Sequence, residues 1–131
     1  MESSFQDIRI TGLDTTKSHD VPSQDGTHRI YLTLSSAPPA TWRDIFHRER
    51  ATPRSSIWRN AIIESMFLVI TCTPEELEKR HLKFLKEDVN NTNEKYKLSI
   101  AEKEEQSARF HQSEEERKKR LEELRDRLTF D

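Results

Sequence analysis

The sequence predicts an α+β domain that continues into a long, highly charged helix. Short segments in which apolar and polar residues alternate fill the first half, and no Gly or Pro follows Pro74. The apolar content is 32%, with 27 apolar residues in 1–73 and 15 in 74–131. We therefore expect residues 1–73 to form an α+β head with its own core, and 74–131 to form a mostly solvated helix.

Four strands are predicted in the head. Residues 5–13 and 28–35 alternate apolar and polar side chains, and the polar segment 14–28 between them predicts a mobile loop. Residues 57–63 alternate in the same way. Residues 66–72 are apolar almost throughout, which predicts a central strand covered on at least one face.

The first helix is predicted between the second and third strands. It begins near Pro39, because proline fits the first helical position, and ends before Pro53. Apolar residues at spacings of three and four predict its buried stripe: Trp42, Ile45 and Phe46.

The second helix is predicted to begin at Thr73. Thr73 as N-cap, Pro74 at the first position and Glu76 at the third indicate a reciprocal capping box. A helix from there to about Leu128 would be roughly 80 Å long, so its N-terminal half is expected to pack on the sheet and its C-terminal half to project. The polar run 90–93 is the weakest point of this helix, and the sequence leaves open whether the helix continues through it.

The predicted element order is ββαββα. This is the order of a ferredoxin-like βαββαβ sandwich whose last strand has moved to the front. It predicts a four-stranded, mostly antiparallel sheet with two helices on one face, the second extended into the long C-terminal helix.

The C-terminal half of the long helix carries apolar residues at helical spacing. In a 3-4 repeat over 100–128, five of nine positions are apolar, and four of these predict a helix-association surface: Phe110, Leu121, Leu124 and Leu128. Glu residues four positions before Lys or Arg flank them. The segment is therefore interpreted as a coiled-coil surface for a homodimer or another protein, with a lone, salt-bridged helix as the alternative.

Arginines and tryptophans interleave between residues 42 and 59. Three interpretations fit this segment: the arginines pair with acids on the long helix, they bind an acidic protein surface, or they bind nucleic acid. The candidate surface for an anionic partner consists of Arg43, Arg48, Arg50, Arg54, Trp58 and Arg59.

The sequence offers little for catalysis. Two Gly exclude a phosphate-binding glycine loop, the single Cys72 excludes an internal disulfide framework, and the five His are scattered. We expect no catalytic, cofactor-binding or metal-binding residues and no small-molecule substrate.

The sequence therefore predicts a non-enzymatic protein-interaction or scaffolding module that associates through its C-terminal helix. The alternative is a small nucleic-acid-binding accessory protein using 42–59. The N-terminus lacks a basic segment followed by an apolar run, so we expect a cytoplasmic location and no membrane partner.

Overall fold

The computed structural model describes residues 5–23 and 26–129, which adopt an α+β fold with an antiparallel sheet and a long C-terminal helix. The strands are β1 (Ile10–Leu13), β2 (His19–Asp20), β3 (His28–Leu34), β4 (Ala61–Glu64) and β5 (Phe67–Cys72). Helix α1 (Ala40–Arg50) lies between β3 and β4. After β5 come α2 (Pro74–Glu76), a π-helical turn (Leu77–His81) and α3 (Leu82–Arg127), which follow one another without a gap.

Four strands lie in the order β1-β3-β5-β4, and the short β2 also pairs with β3. Every pairing is antiparallel, and the central pair β3–β5 extends from His28 opposite Cys72 to Thr33 opposite Phe67. The apolar strand β5 is central, as its sequence predicts.

The prediction of four strands is wrong by one, because β2 lies in the segment predicted to be a loop. His19 and Asp20 pair with Arg29 and His28. The hydroxyl of Ser18 accepts a hydrogen bond from the backbone N–H of Tyr31 at 2.9 Å. A polar segment thus joins the sheet through backbone hydrogen bonds, which need no apolar side chains. Residues 24 and 25 of this segment lie outside the described residues.

Two strands begin several residues later than predicted, because side chains bind the backbone just before their N-terminal ends. The N–H and the carbonyl of Ile8 are hydrogen-bonded to the side chain of Asn93, so β1 begins only at Ile10. The carbonyl of Arg59 accepts a hydrogen bond from the Arg50 guanidinium, and β4 begins only at Ala61. A backbone group that bonds a side chain is withdrawn from strand pairing.

The core lies between one face of the sheet and both helices. Alternate residues of β3 point into it, and α1 contributes the fully buried Trp42 and Phe46. Leu85 and Val89 bring α3 into the same cluster. Trp42, Ile45 and Phe46 are all buried, so the stripe predicted for α1 is confirmed.

The start of the long helix follows the predicted cap only in part. The hydroxyl of Thr73 accepts a hydrogen bond from the backbone N–H of Glu76 at 3.2 Å, which confirms Thr73 as the N-cap. The carboxylate of Glu76, however, accepts hydrogen bonds from Arg59 and contacts His81 at 3.2 Å. Tertiary charge partners therefore replace the reciprocal bond that the sequence predicted.

Helix α3 is continuous through 90–93, the segment where the sequence leaves the continuity of the helix open. Thr92 and Asn93 are buried, and the Thr92 hydroxyl donates a hydrogen bond to the carbonyl of Asp88 at 2.6 Å. The run therefore supplies buried polar contacts to the head instead of interrupting the helix.

Contacts between residues divide the chain into two compact units, 1–96 and 97–131. The first contains the sheet, α1 and the buried part of α3, and the second contains the rest of that helix. Among the described residues, no helix is long and apolar enough to cross a membrane.

Candidate functional site

The second unit contains the C-terminal part of α3, and every described residue from 101 to 129 is exposed. Five of its large apolar side chains are exposed: Leu98 is 63% exposed, Phe110 62%, Leu121 53%, Leu124 42% and Leu128 49%. The last four are the residues that the sequence predicts for helix association, and we call these four the association face.

The association face occupies one side of α3 and includes Leu128, the residue after the helix ends, whose backbone N–H still donates to the Leu124 carbonyl at 3.0 Å. At 100° per residue, its four side chains fall within an arc of about 60°. Leu121, Leu124 and Leu128 follow one another at spacings of three and four, as in the contact positions of a coiled coil. Between Phe110 and Leu121 the same arc carries Arg117, and Glu114, about 20° outside the arc, forms an ion pair with Arg117 at 2.8 Å. The continuous apolar part of the face is therefore short.

Arg50 and Arg54 both bind the carboxylate of Asp88. Arg50 and Asp88 are almost fully buried, and the Arg50 Nη1 donates to Asp88 Oδ2 at 3.0 Å. Arg54 donates to the other carboxylate oxygen. Burial lowers the pKa of the Arg50 guanidinium, and its hydrogen bond to Asp88 opposes this effect. These two arginines stabilise the head and have little capacity left for a partner.

Trp58 lies beside the same pair of arginines. The Arg50 guanidinium carbon is 3.9 Å from the Trp58 ring centroid, and that of Arg54 is 4.9 Å away. The indole N–H donates to the Arg50 carbonyl at 2.9 Å, and the ring contacts Phe84 edge-on. Trp58 therefore fills space between α1 and α3, held by cation–π and hydrogen-bond contacts.

The other three arginines of the segment 42–59 have different surroundings. Arg59 binds Glu76, and the hydrogen bond from Arg59 is the main reason why the pKa of the Glu76 carboxyl is lowered. Arg48 is exposed, and its side chain donates a hydrogen bond to the carbonyl of Asp44 at 3.5 Å. Arg43 is partly buried on α1. The structure thus brings Arg50, Arg54 and Trp58 together, whereas Arg43 and Arg48 remain apart from that cluster.

A second apolar surface is a groove of about 680 Å³ in the head. Its walls come from β1, β3 and the start of the long helix, and they include Ile10, Leu13, Ile30, Leu77 and Leu82. This volume lies in the range of small-molecule sites, but the aliphatic lining favours apolar groups over a polar substrate. Sequence reasoning missed the groove because its walls are distant along the chain.

Potential chemistry is sparse in the part of the chain that the structure describes. No group of three or more His, Cys, Asp or Glu side chains could hold a metal ion there. Burial raises the pKa of the Cys72 thiol to about 11, so it is protonated and a poor nucleophile at neutral pH.

Comparisons of the chain with protein-family models, curated proteins and solved structures found no match. The geometry of the chain itself therefore carries the functional interpretation.

Proposed function

We propose that the chain is a non-enzymatic protein-interaction module that associates through the association face of α3. The single observation that carries this proposal is the exposure of four large apolar side chains on one side of a solvated helix. Fully burying one such side chain is worth about 1.5–3 kcal/mol, so shielding four that are about half exposed gains several kcal/mol.

A helix without tertiary contacts also gains from a partner. Isolated helices are marginally stable in water because most helical stability in proteins comes from packing an apolar face. Every described residue after 100 is exposed, so within its own unit this helix has no core to pack on. Pairing with a second helix supports both the apolar side chains and the helical backbone.

The test compares the full chain with Leu121→Asp/Leu124→Asp. We expect the wild-type chain to form an oligomer in sedimentation velocity, or to retain a partner from its native host, and the double variant to lose either one. Ala108→Asp/Gln112→Asp is the matched control, because it adds the same charge to exposed positions on the opposite side of the helix. Association that is unchanged in the leucine variant would contradict the proposal.

The second candidate function is nucleic-acid binding by the head. An open depression of about 450 Å³ is lined by Arg29, Arg59 and Trp58, a combination that suits phosphates and bases. Arg29 and Arg59 already pair with Glu64 and Glu76, which makes this candidate the weaker one. Its test is fluorescence anisotropy with a labelled single-stranded oligonucleotide: binding that falls steeply with salt and is lost on Arg59→Ala would favour it.

We further propose that the head is a permuted ferredoxin-like sandwich. When the last strand of the βαββαβ order moves to the front, the strands lie in the sheet in the order first, second, fourth, third. The observed order β1-β3-β5-β4 supports this arrangement if the short β2 is not counted. Contributions of both helices to one core support it as well.

A cytoplasmic location is proposed because the lone cysteine forms no disulfide.

A further inference from the structure

Basic side chains flank the leucines of the association face. If Leu121 and Leu128 take position a of a heptad and Leu124 takes position d, the neighbouring positions e and g are all basic: Lys118, Arg120, Arg125 and Arg127. The positions farther back, b and c, are all acidic: Glu115, Glu116, Glu122 and Glu123. Charge is therefore segregated across the helix, with positive groups beside the contact surface and negative groups behind it.

These basic side chains are available to a partner. All four are exposed. Arg125 contacts Asp126 at 3.3 Å, whereas over residues 5–23 and 26–129 no ion pair involves Lys118, Arg120 or Arg127. The sequence predicted that Lys118, Arg120 and Arg127 would each pair with the glutamate four positions earlier. In the structure Glu114 instead pairs with Arg117, three positions on.

Two copies of this helix would place like charges together in either orientation. In a parallel pair, position g faces position e of the next heptad on the partner, so Arg120 meets Arg125 of the second copy. In an antiparallel pair, g faces g and e faces e, and both combinations are again basic. Like charges at such positions are destabilising, and they select against self-association.

We infer that the association face binds an apolar helix of another protein whose e and g positions are acidic, in preference to a second copy of this chain. The inference rests on the proposed function and specifies the partner. The leucines supply the buried contact, and the four basic groups pair with glutamate or aspartate side chains at its edges. Charges at these positions set partner choice in helix pairs. The ion pair of Glu114 with Arg117 marks the end of the apolar contact, so two heptads of partner helix suffice for it.

Three synthetic helical peptides of equal length test this inference against the full chain. The first has Leu at a and d and Glu at e and g, the second has Lys in place of Glu, and the third keeps Glu but has Ser at a and d. Isothermal titration calorimetry at low and high salt measures binding. We expect the Leu/Glu peptide to bind at least about tenfold more tightly than the Leu/Lys peptide, because four pairs change from repulsive to attractive. The difference should shrink at high salt.

Two variants of the chain serve as controls. Leu121→Asp/Leu124→Asp should lose binding of the Leu/Glu peptide. The third peptide, which has Ser at positions a and d, should bind neither the wild-type chain nor this variant. Replacing Lys118, Arg120, Arg125 and Arg127 with Glu should reverse the preference toward the Leu/Lys peptide. Tryptophan fluorescence checks that the head stays folded, because Trp42 and Trp58 both lie in the first unit.

Each outcome separates this inference from the proposed function. Equal binding of the Leu/Glu and Leu/Lys peptides, or self-association of the chain through its leucines, overturns the acidic partner but leaves helix association in place. Equal binding of the Glu peptides with Leu or Ser overturns the inference, because the attraction would then be electrostatic alone. A chain that remains monomeric and binds no peptide overturns both.

Discussion

Asn93 holds three separate parts of the head together, and its replacement by leucine is expected to be costly. Its side-chain oxygen accepts hydrogen bonds from the backbone N–H of Ile8 at 3.0 Å and from the indole N–H of Trp42 at 2.9 Å. Its amide nitrogen donates to the Ile8 carbonyl at 2.8 Å. All three residues are at most 2% exposed, so water cannot replace the lost partners without a rearrangement.

The magnitude follows from counting the groups left unpaired. Asn93→Leu keeps a side chain of similar size but leaves two donors and one acceptor buried without partners. Each such group costs about 1–3 kcal/mol, and with partial relaxation we expect the free energy of unfolding to fall by about 3–5 kcal/mol. Asn91→Leu is the matched control, because Asn91 is exposed on the same helix and its replacement should change stability by no more than about 0.5 kcal/mol.

Denaturant unfolding followed by tryptophan fluorescence measures this effect on the head alone. A double-mutant cycle with Trp42→Phe isolates the indole hydrogen bond: the penalty of Asn93→Leu should be smaller in that background by about 1 kcal/mol. A loss below about 1 kcal/mol for Asn93→Leu, or an equal loss for Asn91→Leu, would refute the account of Asn93 as a buried anchor.

Three further predictions concern charge and burial in the head. Asp88→Asn would leave two arginines without their shared counter-charge, and it should lower the free energy of unfolding by about 3–5 kcal/mol in the denaturant assay. Glu87→Gln is the control: Glu87 is a partly exposed neighbour of Asp88, so its replacement should have little effect. The hydrogen bond from Arg59 lowers the pKa of Glu76 in the folded chain below its value of about 4.3 in the unfolded chain. The Glu76 carboxylate therefore stabilises the fold above about pH 4.3, and this stabilisation is lost as the pH falls through the pKa of Glu76 in the folded chain. Glu76→Gln should therefore reduce the loss of stability measured between neutral and acidic pH, and an unchanged acid profile would contradict this reasoning. Cys72 should react with a disulfide thiol reagent at pH 8 only after unfolding, because burial raises its pKa to about 11; rapid labelling of the native chain would show that the thiol is accessible.

Much of the fold could be predicted because its strands and helices carry clear periodic patterns. Strand β3 alternates cleanly, α1 shows the spacing of Trp42, Ile45 and Phe46, and Thr73 begins the long helix as its cap residue predicts. Errors occurred where polar side chains form long-range contacts. The segment around His19 joins the sheet by backbone hydrogen bonds and through the Ser18 hydroxyl, neither of which leaves an apolar pattern in the sequence.

The same distinction applies to the candidate sites. The association face could be found from sequence because helical spacing alone places its residues together. Asp88 and Asn93 resemble solvated residues of a charged helix, and only tertiary structure shows that each is buried among partners from α1. One signal was present in the sequence: the segment 48–59 has four arginines and a single acid, and Asp88 lies beside Leu85 and Val89 of the apolar stripe.

The bond between Ile8 and Asn93 joins residues 85 positions apart, and this sets an order of assembly during synthesis. When the chain grows from its N-terminus, the sheet and α1 are complete long before residue 93 is available. Until then the buried N–H and carbonyl of Ile8 and the indole of Trp42 have no protein partner, so the native core cannot close. A nascent chain or a truncated fragment that ends at β5 should therefore remain open and prone to aggregation, and the shortest piece able to fold extends well into the long helix.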